Sequence, residues 1–595
     1  MPSLAHYADG AHSVTHTMIR PTLLVFLLLF TPCLAAEPAP KDADQIDPLL
    51  LSAIDAAQRG DLKPLKEEVE PRATEVVADA AKLDATSIIQ VATAREFATY
   101  FSRLGELSHP NRTILAWLIA QPKLAPTLMM AITPEDPPDG LLAVLRRLYD
   151  DHGEDLAKYP DLVAAFCTVW DSTGDIDENA KKVDLDRVAR LYTYYTRSSP
   201  RFDLQELPWQ LAAWAVSSPL SEDEMTWARS KYGDRKALAE TFFDPPFNEY
   251  PGYVREVKKE TDVAYTLPNL AKLGGNSVDR AYFAVGVCRT LGVPAAVCTA
   301  SMAGDEPQHL PAWAAVLEVG NRRVHWNLQA GRHPEHSGWR GTVIDPQTHG
   351  QLLDSELVQL ADLQSVSGEQ RLESVAVWKL LTAAEEAKQP DLLLKAMELS
   401  PGNLRAWQTL NALTAKRKLN DVQTEAYVAA IEKYAVPRNG PFALEMYLPL
   451  VQPHGTLQQL PLLDRAAKWF AGQPDVLARI KLEQGNAQLK LKRPDLALVA
   501  FKEAINLQPR CSPMVLEGFQ RIDKLFRDNK DLPHLLELYG QAWPRLDRPR
   551  PTPYSRSVPY VLIGDLYVQA LSDAGRKNDA SRIQAMIDST HLDRN

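Results

Sequence analysis

The period of the apolar residues changes twice along this chain, and that change limits what it can fold into. Up to about residue 240 apolar side chains recur at helical spacing, as in Leu50-Leu51-Ile54-Ala57, Ile88-Val91-Ala92-Phe97 and Leu185-Val188-Leu191-Tyr192-Tyr195. From about 241 a Pro- and aromatic-rich stretch, Phe242 to Tyr253, leads into Gly274-Gly275, one helix, and β-branched segments separated by turn signals. After about 355 the helical spacing returns and continues to the end. A chain of 595 residues also exceeds a single hydrophobic core, which stops growing near about 250 to 300 residues. The expectation is multidomain, α plus α+β, with three or more folded units: helical over 49–240, mixed over 241–360, helical over 361–595.

The N-terminus reads as an export signal. Met18-Ile19-Arg20 precedes the apolar run Thr22 to Phe30, and Thr31-Pro32-Cys33-Leu34-Ala35-Ala36 then meets the polar Glu37. A short apolar run followed by small residues has the layout of a signal peptide over 1–36, cut after Ala35 or Ala36. Residues 1–17 fit no part of that layout, so translation is expected to start at Met18. Thr31-Pro32 before Cys33 lacks the small residue of lipid-attachment sites, which favours a periplasmic or secreted protein over a lipoprotein. Residues 37–48 read as a Pro-rich, charged linker, and no segment of the mature chain has transmembrane length.

The net charge of −11, with Lys and Arg scattered among Asp and Glu, argues against nucleic acid as a partner. After cleavage Cys167, Cys288, Cys298 and Cys511 remain, without CxxC pairs or zinc spacing, so disulfides do not hold the fold. Cys288 and Cys298 stand among apolar residues and read as small core side chains. Trp170, Trp209, Trp214 and Trp227 read as core rather than as a ligand cage. His333, His336 and His349 match no familiar zinc pattern, so neither metal nor other cofactor is expected.

In the C-terminal part Gly485, Ala497, Phe501, Ala504 and Pro509 follow one another at intervals of twelve, four, three and five residues. Ala396, Pro401, Trp407 and Leu410 form a weaker copy, and Tyr427 with Ala430 echoes it. These intervals resemble the tetratricopeptide repeat. In such a repeat small residues at 485 and 497 let paired helices approach, Phe501 and Ala504 fill the seam with the next pair, and Pro509 ends the second helix. The resemblance implies an α-solenoid that recognises peptides or braces a neighbouring domain.

The stretch Leu273-Gly274-Gly275-Asn276-Ser277-Val278-Asp279-Arg280, running through Cys288-Arg289 to Leu291-Gly292-Val293-Pro294-Ala295, resembles the nucleophile helix of the transglutaminase-like, papain-like superfamily. In that family a Gly-containing turn precedes a Cys at the start of a helix, and Arg-x-x-Gly-Ile-Pro-Ala closes it. A helix N-terminus stabilises a thiolate through unpaired N–H groups and the macrodipole. Counting back fifteen residues from Gly292, the nucleophile position falls on Ser277. A serine is not ionised by a helix terminus alone, and its bland role is an N-cap.

The family's His-Ala-Trp motif stands here as Pro311-Ala312-Trp313, with a proline in the His position. Asn327, sixteen residues on, or Asp345 in Asp345-Pro346 occupies the place of the third, orienting residue. The resemblance, covering about 115 residues from Pro245 to Leu360, implies a degenerate triad. Two repairs exist. His309 lies two residues before Pro311, on the same strand face and roughly 7 Å along. His325 lies on the other arm of a hairpin around Gly320-Asn321. There a two-residue loop pairing 319 with 322 leaves Asn327 facing away from Pro311, and a three-residue loop reverses that.

Together these readings point to an exported pseudoenzyme that binds protein or peptide, through a former cleft lined by Ser277, Trp313 and Asn327 or through the repeats. The rival reading is an acyl transferase or amide hydrolase using Ser277 with His309 or His325.

Overall fold

Each N-terminal helix buries the stripe its spacing marks out. In Leu185–Arg197 the buried side chains are Val188, Ala189, Leu191, Tyr192 and Tyr195. Ala85–Phe101 buries Ile88, Val91, Ala92 and Phe97 among others, and starts at Asp84, whose carboxylate accepts the Ser87 N–H at 2.8 Å. Such a cap satisfies a donor that the first turn leaves without a helical partner. These features come from a computed structural model, which describes residues 48–79, 82, 84–172, 183–197, 201–247, 264–301, 311–320, 323–332, 340–507, 512–549 and 558–590. The export signal, residues 37–47 of the linker, His309, His333, His336, Pro509 and Cys511 lie outside the described residues.

The fold is mostly helical, with one small sheet in the middle. Its strands are β1 (Ala295–Ser301), β2 (Ala312–Gly320), β3 (Arg323–Ala330), β4 (Arg340–Ile344) and β5 (Gln351–Leu353), in the antiparallel order β3-β2-β1-β4-β5. The helix Ser277–Thr290 packs against β1 and β2, and Asp354–Leu360 packs on β3 and β4. The first six residues of β2 are all buried, which gives a continuous apolar run in place of alternation.

The core does not stop at the boundaries expected near 240 and 360. One cluster of buried side chains runs from Leu49 to Ile480. Polar contacts cross the same lines. Tyr194 and Tyr195 donate to the Thr290 and Arg289 carbonyls at 2.9 and 3.0 Å. Lys379 Nζ reaches Glu96 Oε2 at 2.9 Å and the Ile132 carbonyl at 2.6 Å. Helical, mixed and helical segments thus pack as one body, and all the described residues belong to the unit Asp47–Asn595.

Beyond Ile480 the helices form successive hairpins with their own small cores. In the pair Pro474–Lys490 and Pro494–Leu507, a Cβ on Gly485 would lie 2.3 Å from Phe501 Cε1. Phe501 thus packs within its own pair against Gly485, and it shares a buried cluster with Ile522 of the following helix, Pro513–Asp528. Among the described residues no single helix is long and apolar enough to cross a membrane. One bent pair, His109–Ile119 with Leu124–Ala131, passes that test by length and composition, at a bend of 109°.

Candidate active site around Ser277

The turn before the Ser277 helix is built by glycines. Gly274 has φ +77°, and a Cβ there would sit 2.1 Å from the Pro246 carbonyl oxygen. The chain at Pro246 passes directly beneath, accepting the Gly275 N–H at 3.0 Å. Only glycine combines that backbone with that approach.

The cap of the helix is Asn276, one residue earlier than the expected Ser277. Its side-chain oxygen accepts the Val278 and Asp279 N–H groups at 2.9 and 3.1 Å, and Asp279 Oδ2 accepts the Asn276 N–H at 2.9 Å. Asn is as good a cap as Ser, and the Asp at the third helical position completes a reciprocal box that Ser277 has no partner to make. The positive end of the helix thus already holds a buried carboxylate, that of Asp279, which also accepts the Tyr265 hydroxyl at 3.0 Å. The field that would stabilise a thiolate is spent on it.

Ser277 is half-buried, and its Oγ accepts the Ala312 N–H at 3.2 Å. The helix start therefore meets the beginning of β2, beside Pro311. The other expected members of the site do not gather there. Gly320 pairs with Arg323 and Val319 with Val324, so the hairpin closes one residue later than the 319–322 pairing of a two-residue loop, with the same facing of Asn327. Asn327 then opposes Val316, five residues after Pro311, and faces the other side of the sheet. Its amide donates to Glu318 Oε1 at 3.1 Å. His325 opposes Glu318, six residues along β2 from Ala312, or about 20 Å. It stands 4.0 Å from Glu318 Oε2 and is too far from Ser277 to take its proton.

Nor do Ser277, Trp313 and Asn327 line one surface among the described residues. Trp313 is fully buried, with the Arg332 guanidinium 4.9 Å from its ring centre and no room for a Cβ at Gly341 beside it. Asp345, the rival third residue, caps a turn: its Oδ1 accepts the Gln347 and Thr348 N–H groups at 2.8 and 3.3 Å.

The end of the helix motif, from Arg289 to Ala295, is architectural. Gly292 turns the chain at φ +70°. Arg289, whose side chain is partly buried, donates Nε to the Ala295 carbonyl at 3.1 Å and Nη1 to the Ser217 carbonyl. Burial lowers the Arg289 pKa to about 10, which still leaves a cation at neutral pH. The described cysteines, Cys167, Cys288 and Cys298, are free and buried. Burial pushes the Cys288 thiol up to about 12 and raises Cys298 well above the usual range, so neither supplies a thiolate. Among the described residues no group of three or more His, Cys, Asp or Glu side chains gathers as metal ligands would.

Sequence reading missed a buried acid pair, Asp136 and Asp171, because the partners that bury them come from distant segments. Asp136 accepts the Thr133 N–H at 2.8 Å and Gln347 Nε2 at 2.9 Å, the latter from the turn after β4. Burial pushes the Asp136 carboxyl up to about 6, and burial with the nearby Asp136 charge pushes Asp171 up to about 8. The Tyr100 hydroxyl, also buried, is raised by the same burial and the same two acids. No family model matches the chain, and no curated protein or solved structure matches it.

Proposed function

We propose that this is an exported, non-catalytic protein with a degenerate transglutaminase-like core, which acts as a protein- or peptide-binding scaffold through its tetratricopeptide-like helical pairs. The observation that carries the reading is the bond from the Ala312 N–H to Ser277 Oγ. It occupies an oxygen lone pair of the nucleophile that the resemblance nominates, at a helix end already neutralised by Asp279. A working serine needs an adjacent base, and His325 is held at the far end of the hairpin. Support for the binding role is local: Leu496 and Val499, three apart on Pro494–Leu507, are both about half exposed.

The test is an amine-incorporation assay together with a peptide and amide hydrolysis panel, run on the mature chain and on Ser277→Ala and Ser277→Cys. Silence in all three is the expected result. Turnover in the parent chain that disappears in Ser277→Ala would make Ser277 a nucleophile and overturn the reading.

A further inference from the structure

Three helical pairs follow one another after residue 403: Leu404–Ala415 with Asp421–Ala430, Gly440–Val451 with Thr456–Trp469, and Pro474–Lys490 with Pro494–Leu507. Their first helices start side by side, since the Trp407 and Phe442 rings lie 5.5 Å apart and a Cβ on Gly440 would meet the Gln473 side chain. The turns within the pairs therefore gather at the opposite edge, where Arg417 Nη2 donates to the Pro453 carbonyl at 2.7 Å. Each second helix opens on that edge with an exposed apolar side chain. Val422, Leu457 and Leu496, one near the start of each helix, are 79%, 61% and 49% exposed. Scattered exposed apolar residues are ordinary, but recurrence at one place in three successive pairs makes a row.

Cations flank the row. Residues 416–422, 452–458 and 490–496 hold six basic and two acidic side chains, in a chain whose net charge is −11. Arg417 serves the Pro453 carbonyl and Lys418 pairs with Glu386 at 3.0 Å, whereas Lys416, Lys490, Lys492 and Arg493 make no ion pair among the described residues. Two of the turns hold a cation at a strained position. Arg417 and Lys492 have φ +57° and +59°, and in each turn this residue and the next donate to carbonyls three and five residues back. Glycine is the usual occupant of such a turn, and Gly575 fills it at φ +74° with the same two bonds in the last pair. Arg493 also stands just before a helix start, the positive end of the dipole, where a cation is disfavoured. Local folding explains neither choice, and an anionic partner explains both.

A bound peptide buries its host's apolar side chains in a groove. Here they stand on turns along an edge with cations between them, so the partner has to be extended, anionic and soft enough to admit each tip. An anionic lipid surface has these properties: its phosphates accept from the cations, and apolar tips enter the boundary between headgroups and acyl chains. The acidic remainder of the chain is repelled by the same surface, which leaves this edge as the one that approaches. We infer that the edge built by the turns 416–422, 452–458 and 490–496 docks the protein on an anionic lipid bilayer, with Val422, Leu457 and Leu496 immersed and the cations on the phosphates. Such docking needs no spanning helix. It is independent of Ser277 and additional to the peptide recognition proposed for the helical pairs.

The mature chain, freed of its apolar leader, is sedimented with vesicles of phosphatidylcholine alone and of phosphatidylcholine with about 30% phosphatidylglycerol, at about 0.1 M and about 0.5 M salt. Binding is expected to be about tenfold or more tighter on the anionic vesicles, and to be lost at the higher salt. Lys490→Gln, Lys492→Gln and Arg493→Gln combined should weaken it about tenfold or more. Val422→Ser, Leu457→Ser and Leu496→Ser combined should weaken it about tenfold or more as well. All six side chains are exposed, and an unchanged melting temperature checks that both variants fold. Absence of binding to the anionic vesicles at the lower salt overturns the inference, as does equal binding to both kinds of vesicle or binding indifferent to both variants. Capture of poly-glutamate without capture of vesicles would assign the edge to an acidic protein and overturn it too. The comparison of the two kinds of vesicle uses the parent chain alone, so it decides the matter even where a variant folds poorly.

Discussion

The Phe501 ring occupies the space that a side chain on Gly485 would fill, with Cε1 2.3 Å from the position of the absent Cβ. The two helices of this hairpin can lie close only because residue 485 has no side chain. Gly485→Ala would gain up to about 1 kcal/mol of helix propensity. The clash should outweigh that gain, since overpacking a filled core costs about 1–3 kcal/mol. We expect a net loss of about 1–2 kcal/mol in urea unfolding, and recovery of most of it in Gly485→Ala with Phe501→Leu. A Gly485→Ala variant as stable as the parent would show that the seam is loosely packed.

The cap assignment makes a paired prediction. Asn276→Ala removes the acceptor for two N–H groups and should cost about 1 kcal/mol, within a range of about 0.5–2. Ser277→Ala removes one acceptor of a strand N–H and should cost less, about 0.5 kcal/mol. Equilibrium unfolding of the two variants side by side checks the order. If Ser277→Ala proves the more damaging, the serine and not the asparagine holds the helix start.

What could be read in the sequence was whatever depends on near neighbours along the chain. The stripe Val188, Leu191, Tyr192 and Tyr195 is buried as its spacing requires, and the glycine pair before Ser277 forms the expected tight turn. The cap escaped by one position because Asn276 and Ser277 are both good caps, and only the reciprocal bond to Asp279 separates them. The hairpin register escaped for a similar reason. Asn321-Arg322 is a weaker turn signal than Gly320-Asn321, yet the strands pair at Gly320 and Arg323. The acid pair could not be read at all: Asp136 meets Gln347 only through tertiary packing.

Arg289 should prove a structural residue although it sits in the motif that suggests chemistry. Its side chain joins the end of the Ser277 helix to Ala295, at the head of β1, and to Ser217, which follows the helix Trp209–Val216. Arg289→Met leaves those buried carbonyls without their donor, and each lost partner costs about 1–3 kcal/mol. The variant should unfold at clearly lower denaturant concentration, by about 2–4 kcal/mol in total. Arg289→Lys should recover only part, since an ammonium cannot span both acceptors as the guanidinium fork does. Full stability in Arg289→Met would mean that water replaces the donor and that the tie is dispensable.

The acid pair predicts an unusual pH dependence. Asp171 lies behind Gly140, Oδ2 has no described partner, and the nearby groups are Asp136, Tyr100, Cys167 and Asp139, with Lys379 acting on Asp136. A carboxyl raised from 3.8 to about 8 keeps its proton in the folded chain while the unfolded chain has lost it. Between those values the folded state binds more protons, so its stability falls as pH rises. The contribution is complete below about pH 4 and gone above about pH 8; Asp136 adds a smaller loss that ends near pH 6. Asp171→Asn holds position 171 neutral at every pH and leaves Asp136 to titrate in both chains. Relative to that variant, the parent chain should lose melting temperature steadily from about pH 4 to pH 8 and then run parallel to it. Two parallel curves throughout would show that Asp171 ionises normally in the fold, and that water reaches the pair.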